Sequence, residues 1–307
     1  MVINEDFTKR YEKVPVEIFD DSKDASLIVV NKVASIIKER NKLGKHTVIG
    51  LSASSSLIQV YEELAKMVAN KELSFKNTHI FSVHEYYPLG KNEIQSHYRF
   101  IKEYLLDYID IPIENIHCID SEIPKEKVHD YCIEYEKLIE SLGGIDILLI
   151  DNMGFNEPGS YYNSRTRLIT LNYNTRVAAA SEFFGVEYVP HHAITMGIET
   201  ILSAKRIFYL AFGENMSSSI AKLIEGSINE QFPNTYLQKH EALEVFIDLA
   251  AANDLTRIKT PWLTGPCIWD DYMTRKAVFW LCKLIKKPIL KLTDMDYNDN
   301  GMSDLVT

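Results

Sequence analysis

The stretch Asp151-Asn152-Met153-Gly154-Phe155-Asn156-Glu157-Pro158-Gly159-Ser160 follows a short apolar run that predicts a buried strand at Ile145–Ile150. The Pro-Gly pair near its end restricts the backbone to a tight loop, which would present Asn156 and Glu157 as positioned polar groups. A surface turn can use the same residues. The stretch therefore predicts a strand that ends in a polar loop, which is either a structural turn or part of a site.

Strand-like and helix-like patterns alternate along most of the chain, which predicts an α/β fold with a mainly parallel sheet flanked by helices on both faces. The predicted strands are Thr47–Leu51, His79–Val83, Asn115–Ile119, Ile145–Ile150, Ala193–Gly197, Arg206–Phe212 and Val245–Asp248. Predicted helices include Tyr98–Ile109 and Lys125–Leu142. We expect residues 1–255 to form one domain and residues 256–307 to form a C-terminal extension that packs on it.

Three polar loops follow predicted strands at their carboxyl ends. These loops are Ser52–Ser56, His84–Tyr86 and Asp151–Glu157. Open parallel sheets bind ligands in the crevice beyond the carboxyl ends of their strands. We therefore expect the three loops to converge on one crevice.

The first of these loops consists of Ser52, Ala53, Ser54, Ser55 and Ser56. Small residues let backbone N–H groups approach a phosphate, and the N-terminus of the following helix favours an anion. No Gly-Lys-Ser nucleotide motif accompanies the loop. The same serines are good helix N-caps whatever binds nearby. Phosphate binding and helix capping therefore remain alternatives.

His84 and Glu85 form the second loop together with a tyrosine. A histidine can act as a general acid or base near neutral pH, and a neighbouring carboxylate can orient it. Adjacent side chains of an extended segment point to opposite sides, so Glu85 need not touch His84. A catalytic role and a structural role are both open.

Composition excludes several classes of function. The 307 residues carry a net charge of -10 without a long Lys/Arg cluster, which opposes a nucleic-acid partner. The cysteines lack CxxC spacing and His191-His192 lacks a third ligand, so we expect reduced thiols and no metal. The N-terminal residues show no signal pattern, and no run reaches the ~18 apolar residues of a membrane span. We expect a cytoplasmic protein without a membrane partner.

The chain resembles the glucosamine-6-phosphate deaminase/isomerase family, whose relatives include the phosphogluconolactonases. The resemblance runs from about Thr47 to Asp248, and its strongest elements are Phe155–Ser160 and Ser164-Arg165-Thr166-Arg167. Further collinear matches are His84–Tyr86, Gln95–Tyr98, Ile109–Pro112, Gly143–Asp146 and Ala193–Gly197. The Asn-Glu-Pro-Gly and Ser-Arg-Thr-Arg elements favour the deaminase branch.

The resemblance implies a modified Rossmann-like fold and frequent homo-oligomerisation. It also implies the conversion of glucosamine 6-phosphate to fructose 6-phosphate and ammonia, by ring opening and aldose-ketose isomerisation. The implied partner is a small-molecule sugar phosphate. No metal or organic cofactor is implied.

By the same resemblance, His84 stands where the family has its proton-shuttling aspartate, and Glu157 matches the glutamate that assists a ring-opening histidine. The segment that supplies that histidine is deleted here, and Asp151 partly occupies its place, while no histidine does. Glu85 lies next to His84 and is a further candidate for substrate binding. These positions describe a divergent active site.

The resemblance also assigns the anion contacts. Ser52–Ser56 stands where the family has its phosphate loop, while the phosphate-binding lysine falls at Met216 and an arginine falls at Ser181 or Glu182. Arg165 and Arg167 resemble an effector-binding region, although both could be solvated surface charges. The implied phosphate site therefore lacks basic side chains that the family has there.

Two main hypotheses follow. In the first, the chain is an active enzyme of this family that uses His84 as the base and Glu157 as the supporting acid or base. In the second, it is a catalytically degenerate protein on the same fold that binds a sugar phosphate or has a regulatory role. A third hypothesis is an assembly domain whose crevice has no ligand.

Overall fold

The computed structural model describes residues 8–306, so the expectation of no N-terminal signal pattern concerns mainly residues outside this range. The strands are β1 (Val16–Phe19), β2 (Thr47–Leu51), β3 (Thr78–Ser82), β4 (His84–Tyr87), β5 (Ile116–His117), β6 (Ile147–Ile150), β7 (Arg167–Thr170), β8 (His192–Thr195), β9 (Ile207–Ala211) and β10 (Leu243–Asp248). Within the described residues, the main sheet has the order β1-β10-β9-β6-β2-β3-β5, and its neighbouring strands are parallel. The predicted α/β fold class is confirmed.

Most predicted strands of the main sheet are present with small shifts in their bounds. β2 has the predicted bounds, and the bounds of β3, β6, β9 and β10 lie within about two residues of the prediction. β5 is shorter than predicted because the Ile119 N–H leaves the sheet ladder and donates to Ser82 Oγ at 2.8 Å. β1, which forms an edge of the sheet beside β10, was not predicted from the sequence.

Helices cover both faces of the main sheet. They are α1 (Ser22–Lys42), α2 (Ile58–Ala69), α3 (His97–Tyr104), α4 (Val128–Ser141), α5 (Tyr173–Ala179), α6 (Ile198–Leu202), α7 (Ser217–Glu225), α8 (Thr256–Lys259), α9 (Asp271–Ile285) and α10 (Asp294–Asn298). None of the helices in residues 8–306 combines the length and apolar character that crossing a membrane requires.

The apolar core is divided between the two faces by the alternation of side chains along each strand. Ile49 and Ile147 pack with α1 and α2, whereas their neighbours Val48 and Leu148 pack with α4 and α7 on the other face. The central strands are therefore apolar at successive positions. This double burial fixes where their carboxyl ends, and the loops that follow, must lie.

A second, antiparallel sheet of β4, β8 and β7 lies beyond the main one. The prediction that His84–Tyr86 is a loop was wrong, because these residues form β4. The predicted strand Ala193–Gly197 is found as β8, but it pairs with β4 and β7. Alternation along a segment does not identify its partner strands, so the sequence could not assign this sheet.

The C-terminal residues contain a small apolar cluster of Trp262, Ala277, Leu281 and Met302. α9 begins after Asp270, whose carboxylate accepts a hydrogen bond from the Met273 N–H at 2.7 Å. The Trp280 ring lies 5.5 Å from that of Trp262. The aromatic side chains of this region thus pack on one another, while a domain boundary at residue 255 stays a prediction.

Substitution of Gly197 should destabilise the fold. A Cβ atom at this position would lie 1.9 Å from the backbone oxygen of Ser164. We expect Gly197→Ala to lower the free energy of unfolding by about 3 kcal/mol, because two backbone segments would have to separate. Urea denaturation followed by circular dichroism measures this change.

Gly90→Ala is the matched control, since the nearest atom to its Cβ would be Glu93 Cγ at 3.4 Å. This variant should change the free energy of unfolding by less than about 0.5 kcal/mol. Equal losses in the two variants would contradict the predicted close contact.

Candidate functional site

The serine loop, Ser52–Ser56, and the turn after β6 meet at the carboxyl edge of the main sheet. Ser54 caps a short 3-10 helix by accepting a hydrogen bond from the Ser56 N–H at 3.2 Å. The Ser54 hydroxyl also donates to Asp151 Oδ2 at 2.6 Å. Ser54 therefore caps the helix, as one alternative predicted, and also joins the two loops.

These loops form one wall of a cleft of about 450 Å³, here called the serine-loop cleft. It is lined by Ala53, Ser54, Ser55, Ile94, Gln95, Ser96, His97, Phe100, Asp151 and Glu182. Its volume falls in the range of small-molecule sites, about 300–1,000 Å³. Ser52 is instead buried below the loop, where its carbonyl accepts a hydrogen bond from Tyr61 Oη at 2.5 Å.

Carboxylates supply the formal charge of the serine-loop cleft. Asp151 and Glu182 line it, and no lysine or arginine of the described chain does so. Burial raises the pKa of the Asp151 carboxyl, while the hydrogen bond from Ser54 and the charge of His97 oppose this rise. Asp151 Oδ1 is enclosed and has no hydrogen-bond partner among residues 8–306. The cleft is therefore suited to a cation or a donor rather than to an anion.

His84 lies behind this cleft instead of in its wall. The residue is 5% exposed, and its ring centroid lies 4.5 Å from that of His97 and 4.7 Å from that of Phe155. His84 Nδ1 is buried, and none of the described residues pairs with it. Burial and the charge of His97 hold the pKa of His84 well below its usual 6.5. The imidazole is thus neutral and shielded.

The turn between β6 and Phe155 explains this shielding. It contains only residues 151–154, and Gly154 adopts a left-handed conformation with φ of +61°. A Cβ atom on Gly154 would lie 2.7 Å from Thr195 Oγ1 and 3.4 Å from His84 Nδ1. The Phe155 N–H donates to Thr195 Oγ1 at 3.2 Å. The short turn therefore runs along β8 and places Phe155 against His84.

The Asn-Glu-Pro-Gly loop has two separate roles. Asn156, expected as a presented polar group, is 7% exposed, and its amide donates to the backbone oxygens of Met153 at 2.6 Å and Met196 at 2.9 Å. Glu157 accepts hydrogen bonds from the backbone and side chain of Asn172. It lines a different cleft, of about 430 Å³, that includes Lys222 and Phe232. His84, Asp151 and Glu157 thus occupy three different environments.

Glu85 is buried at the start of α3. Its carboxylate accepts hydrogen bonds from Ser96 Oγ at 2.9 Å and from the backbone N–H groups of Tyr86, His97 and Tyr98 at 2.9, 3.1 and 2.9 Å. A carboxylate at a helix N-terminus satisfies donors that have no partner within the helix. Glu85 therefore holds His97 in place beside the cleft.

The two candidate effector arginines differ in their surroundings. Arg165 pairs with Glu136 at 2.7 Å and Glu140 at 2.5 Å, which ties its loop to α4. Arg167 contacts Ser160 Oγ at 3.3 Å and has no carboxylate partner in the part of the chain that is described. Burial lowers its pKa. Of the two, Arg167 is the one whose guanidinium remains available for an anion.

Several cleft residues were not assigned to the site from the sequence. Gln95, Ser96, His97 and Phe100 were matches to the family or members of a predicted helix, and nothing in their spacing indicated that they face Ser54. Met216, at the position of the family's phosphate-binding lysine, is half-buried against the main core. No set of three or more His, Cys, Asp or Glu residues within residues 8–306 is arranged to hold a metal ion.

Comparison with known proteins identifies the family. The profile described as glucosamine-6-phosphate isomerases/6-phosphogluconolactonase matches residues 20–246. The chain belongs to this family. It is 40% identical over 237 residues to the glucosamine-6-phosphate deaminase of Mycoplasma mycoides subsp. mycoides SC, covering 75% of this chain and 95% of that protein.

A longer relative is also similar. The putative glucosamine-6-phosphate deaminase-like protein of Bacteroides thetaiotaomicron is 44% identical over 302 residues, which cover 97% of this chain. The match spans 46% of the length of that relative. Among solved structures, a monomeric glucosamine-6-phosphate deaminase superposes with a TM-score of 0.73 at 33% identity, covering 78% of this chain and 99% of its own.

The burial of His84 predicts an acid-dependent loss of stability. An unfolded chain protonates this histidine near pH 6.5, whereas the folded chain keeps it neutral. The unfolded state then binds more protons, so the stability due to neutral His84 is complete above pH 6.5 and is lost as the pH falls below it. Between pH 7 and pH 5.5 the wild type should lose about 1 kcal/mol more than His84→Gln in urea denaturation.

The exposed His129 provides the control. His129→Gln should show the same loss between the two pH values as the wild type. If His84→Gln lost as much stability as the wild type on acidification, the neutral state of His84 would be refuted.

Proposed function

We propose that this chain is a catalytically degenerate member of the deaminase family, which binds a carbohydrate in the serine-loop cleft without deaminating glucosamine 6-phosphate. The single observation that carries the proposal is the position of His84, which is 5% exposed behind His97 and Phe155. Proton transfer between adjacent carbons requires a base within hydrogen-bond reach of the substrate. His84 has no such access to the cleft.

The other candidate acid-base groups give further support. Glu157 lines a different cleft and is bonded to Asn172. Asp151 lines the serine-loop cleft, but its Oδ2 accepts the hydrogen bond from Ser54. Ring opening and isomerisation need several groups aligned on one substrate. These three residues lie in environments that do not favour such alignment.

Electrostatics also oppose a sugar phosphate as the preferred ligand. Enzymes hold a phosphate dianion with charge-assisted hydrogen bonds, each contributing about 1.5–3 kcal/mol. The described part of the serine-loop cleft offers Asp151 and Glu182 and no basic side chain except His97. Two carboxylates would repel the dianion instead of holding it.

A carbohydrate remains the best-supported kind of ligand. The serine loop contributes hydroxyl groups, Gln95 and His97 add polar atoms, and Phe100 adds an aromatic surface. Sites for small ligands combine such an apolar surface with a few convergent polar groups. The homo-oligomer, the cytoplasmic location and the boundary near residue 255 stay predictions, and one relative is described as monomeric.

Retained deaminase activity is the second candidate function. It is favoured by 40% identity to a protein named as a glucosamine-6-phosphate deaminase over 95% of that protein's length. A lid movement that withdraws Phe155 would expose His84 for this reaction.

An assay of ammonia release from glucosamine 6-phosphate separates the two candidates. We expect no release above the buffer blank from the wild type, with the Mycoplasma mycoides relative as a positive control under the same conditions. The reason is that no base reaches the substrate. Release by the wild type that disappears in His84→Ala would refute the proposal and establish the deaminase.

A further inference from the structure

We propose that the ligand of the serine-loop cleft is an unphosphorylated amino sugar, whose ammonium group lies between Asp151 and Glu182. The inference rests on the proposed function, because it takes this cleft as a carbohydrate site. It reverses the charge preference that the family resemblance implies, since a cationic ligand replaces an anionic one.

The first support is the unsatisfied carboxylate. Asp151 Oδ2 is bonded to Ser54 at 2.6 Å, whereas the enclosed Oδ1 has no partner within residues 8–306. A buried acceptor without a donor costs free energy, and a charged donor relieves that cost. An ammonium group carries three donors and a positive charge. An ammonium group would therefore supply the hydrogen-bond donor that Asp151 Oδ1 lacks.

The second support is the opposite wall of the cleft. Gln95 Nε2 donates to the backbone oxygen of Glu182 at 2.9 Å and so fixes this segment against the start of α3. The charge of Glu182 acts on the buried Tyr86. Burial is the main cause of the raised pKa of Tyr86, and the charge of Glu182 is the second cause. Asp151 and Glu182 thus line the same cleft from different segments, so a cation between them would be attracted by both carboxylates.

The third support is the remaining lining, which suits a sugar ring. Ser55 contributes a hydroxyl group, and His97 is held by its hydrogen bond to the His84 backbone oxygen at 3.2 Å. Phe100 presents an aromatic ring on which C–H groups of a pyranose can pack. Acetylation of the amine would remove the positive charge, and phosphorylation would add a dianion beside two carboxylates. Both changes should weaken binding.

Isothermal titration calorimetry at pH 7 tests this specificity with D-glucosamine, N-acetyl-D-glucosamine, D-glucose and glucosamine 6-phosphate. We expect D-glucosamine to bind at least about tenfold more tightly than each of the others, because a charge-assisted hydrogen bond is lost or opposed in each of them. Burial raises the pKa of Asp151, so acidification should weaken D-glucosamine binding once this carboxyl takes up a proton.

Asp151→Asn and Glu182→Gln should each weaken D-glucosamine binding by about tenfold and reduce its advantage over D-glucose. Glu187→Gln is the matched control, since this exposed glutamate lies in the same segment as Glu182 but outside the cleft. Thermal denaturation confirms that each variant is folded. Glu182 is exposed, so its variant still gives a test if Asp151→Asn does not fold.

Each possible outcome decides between the two proposals. Tighter binding of glucosamine 6-phosphate, or equal binding of D-glucosamine and D-glucose, overturns this inference and leaves the proposed absence of turnover intact. No heat with any of the four sugars overturns the inference together with carbohydrate binding. Ammonia release from glucosamine 6-phosphate overturns the proposed function, whatever D-glucosamine does.

Discussion

The contact between the short turn 151–154 and His84 is the constraint on which the candidate site depends. β6 ends in the middle of the sheet, so the chain must leave it close to the carboxyl ends of β2 and β3. With so few residues before Phe155, the backbone has to pass directly along β8, where Gly154 has no room for a side chain. Phe155 then covers His84, and the cleft ends at His97.

The same constraint connects the fold to the charge of the cleft. The parallel sheet brings the serine loop to the turn after β6, and the hydrogen bond between Ser54 and Asp151 fixes this juxtaposition. The carboxylate of Asp151 consequently faces a cleft in which Glu182 is the other charged group besides any charge on His97. A fold shared with a glucosamine-6-phosphate deaminase thereby presents a cleft that is lined by two carboxylates and by no lysine or arginine of the described residues.

The sequence was sufficient to predict the parallel sheet and the meeting of two of its three polar loops. Buried strands such as Thr47–Leu51 have a strong local signal, and the topology of parallel sheets places their loops together, which correctly brought Ser54 next to Asp151. The sequence could not show that His84 lies in a second sheet, because β4 acquires its structure from pairing with β8. It also could not show that Glu85 caps α3 or that Glu157 turns towards Asn172, since both depend on contacts between distant segments.

The central claim is that His84 is sealed from solvent and from the cleft. Nuclear magnetic resonance of the histidine imidazole nitrogens, recorded between pH 5 and pH 8, tests it most directly. His84 should remain neutral throughout this interval, because burial and the charge of His97 hold its pKa well below 6.5. Titration of His84 near pH 6.5 would show that the imidazole is accessible and would contradict the account.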